Sequence, residues 1–240
     1  MNPRSENTDV FATQPLRAAA IRRLRRVYLV TPDWDDTSRL LAYVQTALSA
    51  GVSSVQYRHK TADSRVHLAQ AQALRALARA SGALLIVNDD LDLAIAVAAD
   101  GLHLGKDDGD AVAVRAQLPP PMLLGVSCYD DMRRAQDAHA AGADYVAFGS
   151  VFPSTTKPGA ACAPLSLLTR GAQSGLHTVA IGGIDAANIG PVAGAGAHAA
   201  AVSQAVFGAA DEDAAGRVAR ILLDQFDLWT PHHGPQSTTV

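Results

Sequence analysis

Short apolar runs alternate along this chain with longer segments that have helical spacing. The runs are apolar at consecutive positions, which is typical of strands buried on both faces of a parallel sheet. The pattern predicts strands at residues 27–31, 53–57, 83–87, 101–104, 122–126, 144–148, 177–181 and 199–202. It predicts helices at residues 40–50, 69–80, 91–98, 111–118, 132–141, 165–173, 187–195 and 213–225.

The strict alternation of eight strands and eight helices predicts an α/β fold, a single (β/α)₈ TIM barrel. A doubly wound open sheet is the alternative, but no G-x-G-x-x-G follows the first strand. We predict an N-terminal extension over residues 1–26, a catalytic barrel over 27–228 and a flexible C-terminal tail over 229–240.

Composition excludes several classes of protein. Of the 240 residues, 48% are hydrophobic, and the formal net charge of −3 argues against a nucleic-acid binder or a membrane-surface binder. No apolar run reaches the roughly 20 residues that a membrane helix needs. Cys128 and Cys162 form neither a metal-binding spacing nor a disulfide framework, so we expect a cytoplasmic protein.

Charged side chains follow several of the predicted strands, at the barrel end where active sites lie. Arg58, Lys60 and Lys157 are cations suited to phosphate oxygens. Asp89 and Asp108 are carboxylates on neighbouring loops, and two carboxylates with a polyphosphate are a usual way to hold Mg²⁺. The alternative for Asp89 and its neighbour Asp90 is a helix N-cap, and one of the pair can cap while the other binds metal.

A second anion site is predicted after strands seven and eight. Gly182 and Gly183 let the backbone approach a phosphate closely, and Val202 and Ser203 stand where a barrel phosphate site is expected. A tight turn is the alternative for the glycines. Two anionic substrates, one a diphosphate and one a monophosphate, follow from these two sites.

The loop over residues 151–159 carries Ser154, Thr156 and Lys157 directly after an apolar strand. Hydroxyls around one lysine predict a loop for an anionic ligand, although an ordinary polar loop is the alternative. Cys128 stands beside Ser127 without an activating partner in the sequence, so we interpret it as a buried, inert thiol.

In these motifs the chain resembles the thiamine phosphate synthase family, from about residue 27 to 208. The resemblance rests on motifs at residues 56–60, 86–90, 99–108, 125–127, 142–145, 153–157, 180–184 and 201–203. One departure is Lys106-Asp107-Asp108, where the family often has Gln-Glu-Asp.

The resemblance implies a transferase reaction. The family joins 4-amino-2-methyl-5-(hydroxymethyl)pyrimidine diphosphate to 4-methyl-5-(2-phosphooxyethyl)thiazole, giving thiamine phosphate and pyrophosphate by a dissociative path. By position, the resemblance implies that Gln56, Arg58, Lys60, Asn88, Ser127 and Lys157 contact the pyrimidine diphosphate or the leaving pyrophosphate. It implies Mg²⁺ on Asp89 and Asp108, and the thiazole phosphate on Ser154, Thr156, Gly183, Val202 and Ser203.

A thiazole tautomerase of the same superfamily is the alternative, since it would keep the monophosphate site without the diphosphate groups. A non-catalytic phosphate sensor on the same barrel is a further alternative, which the metal ligands disfavour. We expect small-molecule substrates and no nucleic-acid or membrane partner, and a homodimer is an assembly that the sequence leaves open.

Overall fold

Eight parallel strands close into a barrel in the computed structural model of the protein, which describes residues 15–105, 109–153 and 162–230. The strands are β1 (Arg26–Val30), β2 (Ser54–Tyr57), β3 (Leu84–Asn88), β4 (Gly101–Leu104), β5 (Leu123–Tyr129), β6 (Tyr145–Gly149), β7 (Thr178–Ile181) and β8 (Ala199–Val202). Each strand pairs with its neighbours in sequence, and β8 pairs with β1. The predicted (β/α)₈ barrel is confirmed.

Helices follow each strand. They are α1 (Thr37–Ser49), α2 (Ser64–Ala80), α3 (Leu91–Ala96), α4 (Ala111–Gln117), α5 (Met132–Ala140), α6 (Ser166–Gln173), α7 (Ile189–Gly194), α8 (Gln204–Phe207) and α9 (Glu212–Trp229). Within the described ranges, no helix combines the length and apolar character needed to cross a bilayer.

Two differences from the sequence prediction lie at the end of the barrel that carries the candidate site. The strand predicted at residues 122–126 runs on to Tyr129, because pairing with β6 continues past an irregularity between Ser127 and Tyr129. Ser127 therefore lies within β5 and not at its end. The four-residue helix α8 after β8 was not predicted, since so short a segment shows no helical period.

The barrel has two apolar layers. Outward-facing strand residues pack under the helices, and inward-facing ones such as Tyr28, Ile86 and Tyr145 fill the barrel interior. Residues 15–21 are helical, and Leu24 is fully buried in the interior layer with Ile21 packed against it. Part of the predicted N-terminal extension therefore helps to close the barrel at the end where the strands begin.

Aspartates begin most of the longer helices. The carboxylates of six residues accept hydrogen bonds from backbone N–H groups in the first turn that follows, and these residues are Asp36, Asp63, Asp90, Asp110, Asp131 and Asp211. Such caps satisfy donors that a helix leaves unpaired. Six of the 23 Asp and Glu residues thus have a capping role, and correspondingly fewer carboxylates remain as candidates for chemistry.

Candidate active site

Two cations lie at the carboxyl end of β2, where the sequence predicts them. The guanidinium of Arg58 donates through Nη1 to Asp33 Oδ1 at 3.2 Å. Lys60 Nζ lies 3.8 Å from Asp89 Oδ2, so the lysine and the carboxylate after β3 face one another across neighbouring loops. Each cation thus stands beside a carboxylate that partly balances its charge.

Asn88 and Asp89 form the end of β3 and the turn after it. Asn88 Nδ2 donates to Asp89 Oδ2 at 2.6 Å, and Gly105 N donates to Asp89 Oδ1 at 3.3 Å. Asp89 has a φ of 62°, a left-handed backbone conformation that is uncommon for residues other than glycine. Asp90 takes the other role, because its carboxylate accepts from Leu93 N and caps α3. The cap that the sequence allows for one of this pair is therefore made by Asp90, and the metal-binding role of Asp89 stays a prediction.

A buried hydrogen-bonded chain crosses the barrel interior beneath this rim. Gln56 Nε2 donates to Tyr28 Oη at 2.9 Å, and Tyr28 Oη lies 3.1 Å from Tyr145 Oη. Tyr145 Oη lies 3.1 Å from His103 Nδ1, and His103 Nε2 lies 2.9 Å from Ser127 Oγ. Two residues predicted for the site, Gln56 on β2 and Ser127 on β5, are thus joined through three side chains from β1, β6 and β4.

Burial keeps both tyrosines of the hydrogen-bonded chain, Tyr28 and Tyr145, protonated. It raises the pKa of Tyr28 and the pKa of Tyr145 well above the ordinary value, because the phenolate would have to leave water. The Tyr145 ring lies close to the β5 backbone at Gly125. A Cβ on Gly125 would lie 2.0 Å from Tyr145 Cζ, so only glycine fits at that point of β5.

Ser127 is also held through its backbone. Its carbonyl oxygen accepts from Arg134 Nε at 2.9 Å, and Arg134 Nη2 reaches Gly105 O at 3.4 Å. Arg134 on α5 therefore ties the end of β5 to the loop after β4. Cys128 beside Ser127 is fully buried, and burial raises the pKa of its thiol to about 12, which agrees with the prediction of an inert thiol.

A cavity of about 350 Å³ opens between the ends of β7 and β8. Its lining includes the predicted residues Gly183, Val202 and Ser203, together with Gly182, Gln204 and Val30. Gly183 has a φ of 63°, and a Cβ there would lie 2.5 Å from Pro153 O, so the turn requires glycine. Asn188 Nδ2 donates to Gly183 O at 2.8 Å and fixes the turn from below.

Several predicted site residues lie outside the described residues. These are the metal ligand Asp108 with the neighbouring Lys106, and Ser154, Thr156 and Lys157 of the loop after β6. Their assigned roles stay predictions. Among residues 15–105, 109–153 and 162–230, no group of three or more His, Cys, Asp or Glu side chains is arranged to hold a metal ion.

Four polar residues of this site were not predicted from the sequence, namely Tyr28, Thr31, Asp33 and His103. His103 carried a usable signal, since it is a polar residue in the middle of an apolar strand with its neighbours on both sides buried. Asp33 carried none, because one carboxylate in a polar loop is ordinary in any sequence.

Comparison with known proteins agrees with this geometry. A family model described as thiamine monophosphate synthase matches residues 27–206. Thiamine-phosphate synthase of Bordetella pertussis is 52% identical over 198 residues, which are 80% of this chain and 91% of the relative. The protein of the same name from Azoarcus sp. is 54% identical over 191 residues, covering 79% of this chain and 92% of the relative.

A solved structure extends the comparison to three dimensions. Thiamine phosphate pyrophosphorylase from Pyrococcus furiosus superposes with a TM-score of 0.77 at 31% identity, covering 88% of this chain and 99% of that chain. The tautomerase alternative finds no support among these relatives. The chain belongs to the thiamine monophosphate synthase family.

Proposed function

We propose that this chain is a thiamine phosphate synthase that joins 4-amino-2-methyl-5-(hydroxymethyl)pyrimidine diphosphate to 4-methyl-5-(2-phosphooxyethyl)thiazole. The observation that carries the proposal is the arrangement of one rim. Arg58, Lys60 and Asp89 stand at the ends of β2 and β3, and the cavity beside Gly183 and Ser203 opens at the ends of β7 and β8. A diphosphate and a monophosphate can therefore meet over the barrel mouth.

The diphosphate is assigned to the cationic side of the rim. Arg58 offers a planar fork to phosphate oxygens, and Lys60 and Lys157 offer point charges. Gln56 and Asn88 are polar groups at the ends of β2 and β3, suited to the pyrimidine and to its diphosphate. Ser127, whose oxygen faces His103 Nε2, can donate its own hydrogen to a phosphate oxygen.

The thiazole phosphate is assigned to the cavity between β7 and β8. The turn at Gly183 has no Cβ to block a phosphate, and Val202 and Ser203 complete the opposite wall. Ser154 and Thr156 would add hydroxyl donors from the loop after β6. This arrangement would leave the thiazole ring directed towards the pyrimidine.

Magnesium is the cofactor that we propose for this rim. Asp89 presents hard oxygens on a side chain that is 24% exposed, and Asn88 and Gly105 orient that carboxylate. Two carboxylates, here Asp89 and Asp108, with substrate phosphates are the ligand set that Mg²⁺ prefers. When bound, the ion would neutralise negative charge on the diphosphate and on the departing pyrophosphate.

The reaction proposed is a substitution without a covalent enzyme intermediate. The bond between the pyrimidine methylene carbon and the diphosphate oxygen breaks, and its electron pair leaves with pyrophosphate. The thiazole nitrogen then donates its lone pair to the carbocation and forms the new carbon–nitrogen bond. Arg58, Lys60 and Lys157 stabilise the charge that develops on the leaving group, which is electrostatic catalysis.

The compartment and assembly belong to the same proposal. Cys128 and Cys162 are both free thiols, which supports a reducing cytoplasm. A homodimer would show twice the chain mass of 24.9 kDa in light scattering of the purified protein.

The experiment that tests the function mixes purified protein with both substrates and Mg²⁺ and detects thiamine phosphate by chromatography. The expected result is thiamine phosphate and pyrophosphate in equal amounts. A parallel reaction without the pyrimidine diphosphate distinguishes the synthase from a tautomerase, which would convert a thiazole phosphate isomer on its own. Absence of thiamine phosphate from the complete mixture, with folded protein, would reject the proposal.

A further inference from the structure

The loop between β1 and α1 contacts all three residues of the cationic segment Arg58-His59-Lys60. Thr31 and Asp33 form hydrogen bonds to Arg58 and Lys60, and Asp35 Oδ1 lies 3.2 Å from His59 Nε2. The two loops are therefore joined residue by residue at the rim where the diphosphate is assigned.

Thr31 fixes the backbone of Arg58. Its hydroxyl accepts from Arg58 N at 2.9 Å and donates to Arg58 O at 3.0 Å, and the residue is 1% exposed. One side chain thus satisfies both backbone groups of the residue that follows β2.

Asp33 holds the side chain of Arg58 and the backbone of Lys60. Its Oδ1 accepts from Arg58 Nη1 at 3.2 Å and from Lys60 N at 3.0 Å. A single oxygen therefore sets the direction of the guanidinium and the backbone from which the Lys60 side chain departs. Contact through Nη1 leaves the remaining donors of the Arg58 fork for a ligand.

The loop that carries Asp33 is itself anchored on two sides. Gln70 Nε2, on a residue that is fully buried, donates to Trp34 O at 2.9 Å and to Thr37 Oγ1 at 3.2 Å. The Trp34 ring packs edge-on against Tyr43 and Phe207, with centroids 5.2 Å and 5.5 Å apart. Asp33 thus sits between two anchored neighbours, Thr31 and Trp34, and is suited to position a second loop.

We infer that Asp33 is a positioning residue for diphosphate binding, which acts by holding Arg58 and Lys60 in one fixed arrangement. The inference rests on the proposed function for the identity of the diphosphate. Asp33 does not touch the ligand in this account. A carboxylate beside an anion site gains nothing from attraction to the ligand, so its contribution there is the pair of hydrogen bonds that it accepts from Arg58 and Lys60.

The role depends on the acceptor oxygen and not on the charge. Lys60 N is a neutral donor, and the Asp33 side chain is 36% exposed, so water screens its charge. An asparagine at this position keeps an oxygen of the same reach. Asp33→Asn is therefore expected to preserve the arrangement, and Asp33→Ala to lose it.

Calorimetric titration of the purified protein with inorganic pyrophosphate and Mg²⁺ measures the effect without turnover. We expect Asp33→Ala to weaken binding about tenfold and Asp33→Asn to change it less than about threefold, as for one or two lost hydrogen bonds. Asp36→Ala is the matched control, since it removes from the same loop a carboxylate that accepts from Arg39 N of its own helix. That control is expected to bind within about twofold of the unmodified protein.

Steady-state kinetics supply the second measurement. In Asp33→Ala the KM for the pyrimidine diphosphate is expected to rise about tenfold, with the KM for the thiazole phosphate within about twofold. Thermal melting confirms that each variant is folded. Equal weakening by Asp33→Asn and Asp33→Ala, equal weakening by Asp36→Ala, or unchanged binding in Asp33→Ala would each overturn the inference.

The two proposals fail separately. If the unmodified protein makes no thiamine phosphate but Asp33→Ala still weakens pyrophosphate binding, the function is wrong and the positioning role stands. If the unmodified protein is active and Asp33→Ala binds pyrophosphate normally, the positioning role is wrong and the function stands.

Discussion

His103 Nε2 lies 2.9 Å from Ser127 Oγ, at the end of the hydrogen-bonded chain that starts at Gln56. Each tyrosine hydroxyl in this chain has one hydrogen to give. Both tyrosine hydroxyls use their hydrogen when each donates onward from Gln56, that is, when Tyr28 donates to Tyr145 and Tyr145 donates to His103 Nδ1. His103 is then the Nε2–H tautomer and donates to Ser127, whose own hydrogen is left for a ligand.

Replacing His103 should impair turnover by releasing the Ser127 hydroxyl. We expect His103→Ala to lower kcat about tenfold, because Ser127 loses the donor that orients it. His103→Gln, which can still donate to Ser127, is expected to retain more activity. The measurements are steady-state rates and the ring ¹⁵N shifts of His103. Exposed His139 on α5 offers the control, and His139→Ala should match the unmodified enzyme. A His103→Ala enzyme with unchanged kcat would contradict the role.

Gly125→Ala should destabilise the barrel. A methyl group would lie 2.0 Å from Tyr145 Cζ, and the ring is too enclosed to move without breaking its hydrogen bonds. Overpacking of this kind typically costs about 1–3 kcal/mol in the free energy of unfolding, measured by urea titration. Gly194→Ala is the matched change, because its nearest side-chain atom lies 3.4 Å away and the residue ends a helix. A Gly125→Ala protein as stable as Gly194→Ala would show that the ring can yield.

The sequence predicted most of the barrel because buried parallel strands are apolar at every position. The runs that became β4 and β8 were predicted at their observed bounds, as residues 101–104 and 199–202. β5 was predicted too short, since the extra residue Cys128 interrupts its pairing and the pattern ends where the irregularity begins. Helix α8 was missed because four residues are barely one turn.

Candidate site residues could be proposed from the sequence where a polar side chain stands shortly after a predicted strand. Arg58 and Asp89 come one and two residues after the predicted strands at 53–57 and 83–87, and Lys60 comes three residues after the first, so position draws attention to them. The role of residues that act through others does not show in position alone. Thr31 and Asp33 are hydroxyl and carboxylate residues in a loop, and their role depends on bonds to a segment more than 20 positions away.

Separate substitutions of Asp89 and Asp90 should distinguish a role in catalysis from a role in stability. Asp89→Asn is the informative change. Asparagine tolerates the φ of 62° better than alanine does, and its side chain has nearly the same size as that of aspartate. We expect it to abolish magnesium-dependent product formation with little change in thermal stability. Asp90→Ala should instead lose the α3 cap, at about 1 kcal/mol of unfolding free energy, and keep activity. Full activity in Asp89→Asn would remove Asp89 from the site.

His177 and His198 lie at the end of the barrel where β7 and β8 begin, and we expect them to lower the free energy of unfolding at acid pH. His177 and His198 have ring centroids 4.2 Å apart, and His177 Nε2 donates to Leu24 O at 2.7 Å. Burial, with repulsion from His198, lowers the pKa of His177 to about 4, and burial lowers the pKa of His198.

Because both folded pKa values lie below the unfolded value of about 6.5, the unfolded chain binds more protons as the pH falls. The stability that these two neutral histidines contribute is therefore expected to be fully present above about pH 6.5 and to decrease between there and about pH 4. Because the two histidine rings are partly exposed, the expected loss in the free energy of unfolding is roughly 2 kcal/mol. Urea unfolding at a series of pH values measures this loss. His177→Gln keeps a donor for Leu24 O but does not titrate, so its stability should fall less steeply over the same range. The same pH slope in His177→Gln and in the unmodified protein would show that other groups set the acid limit.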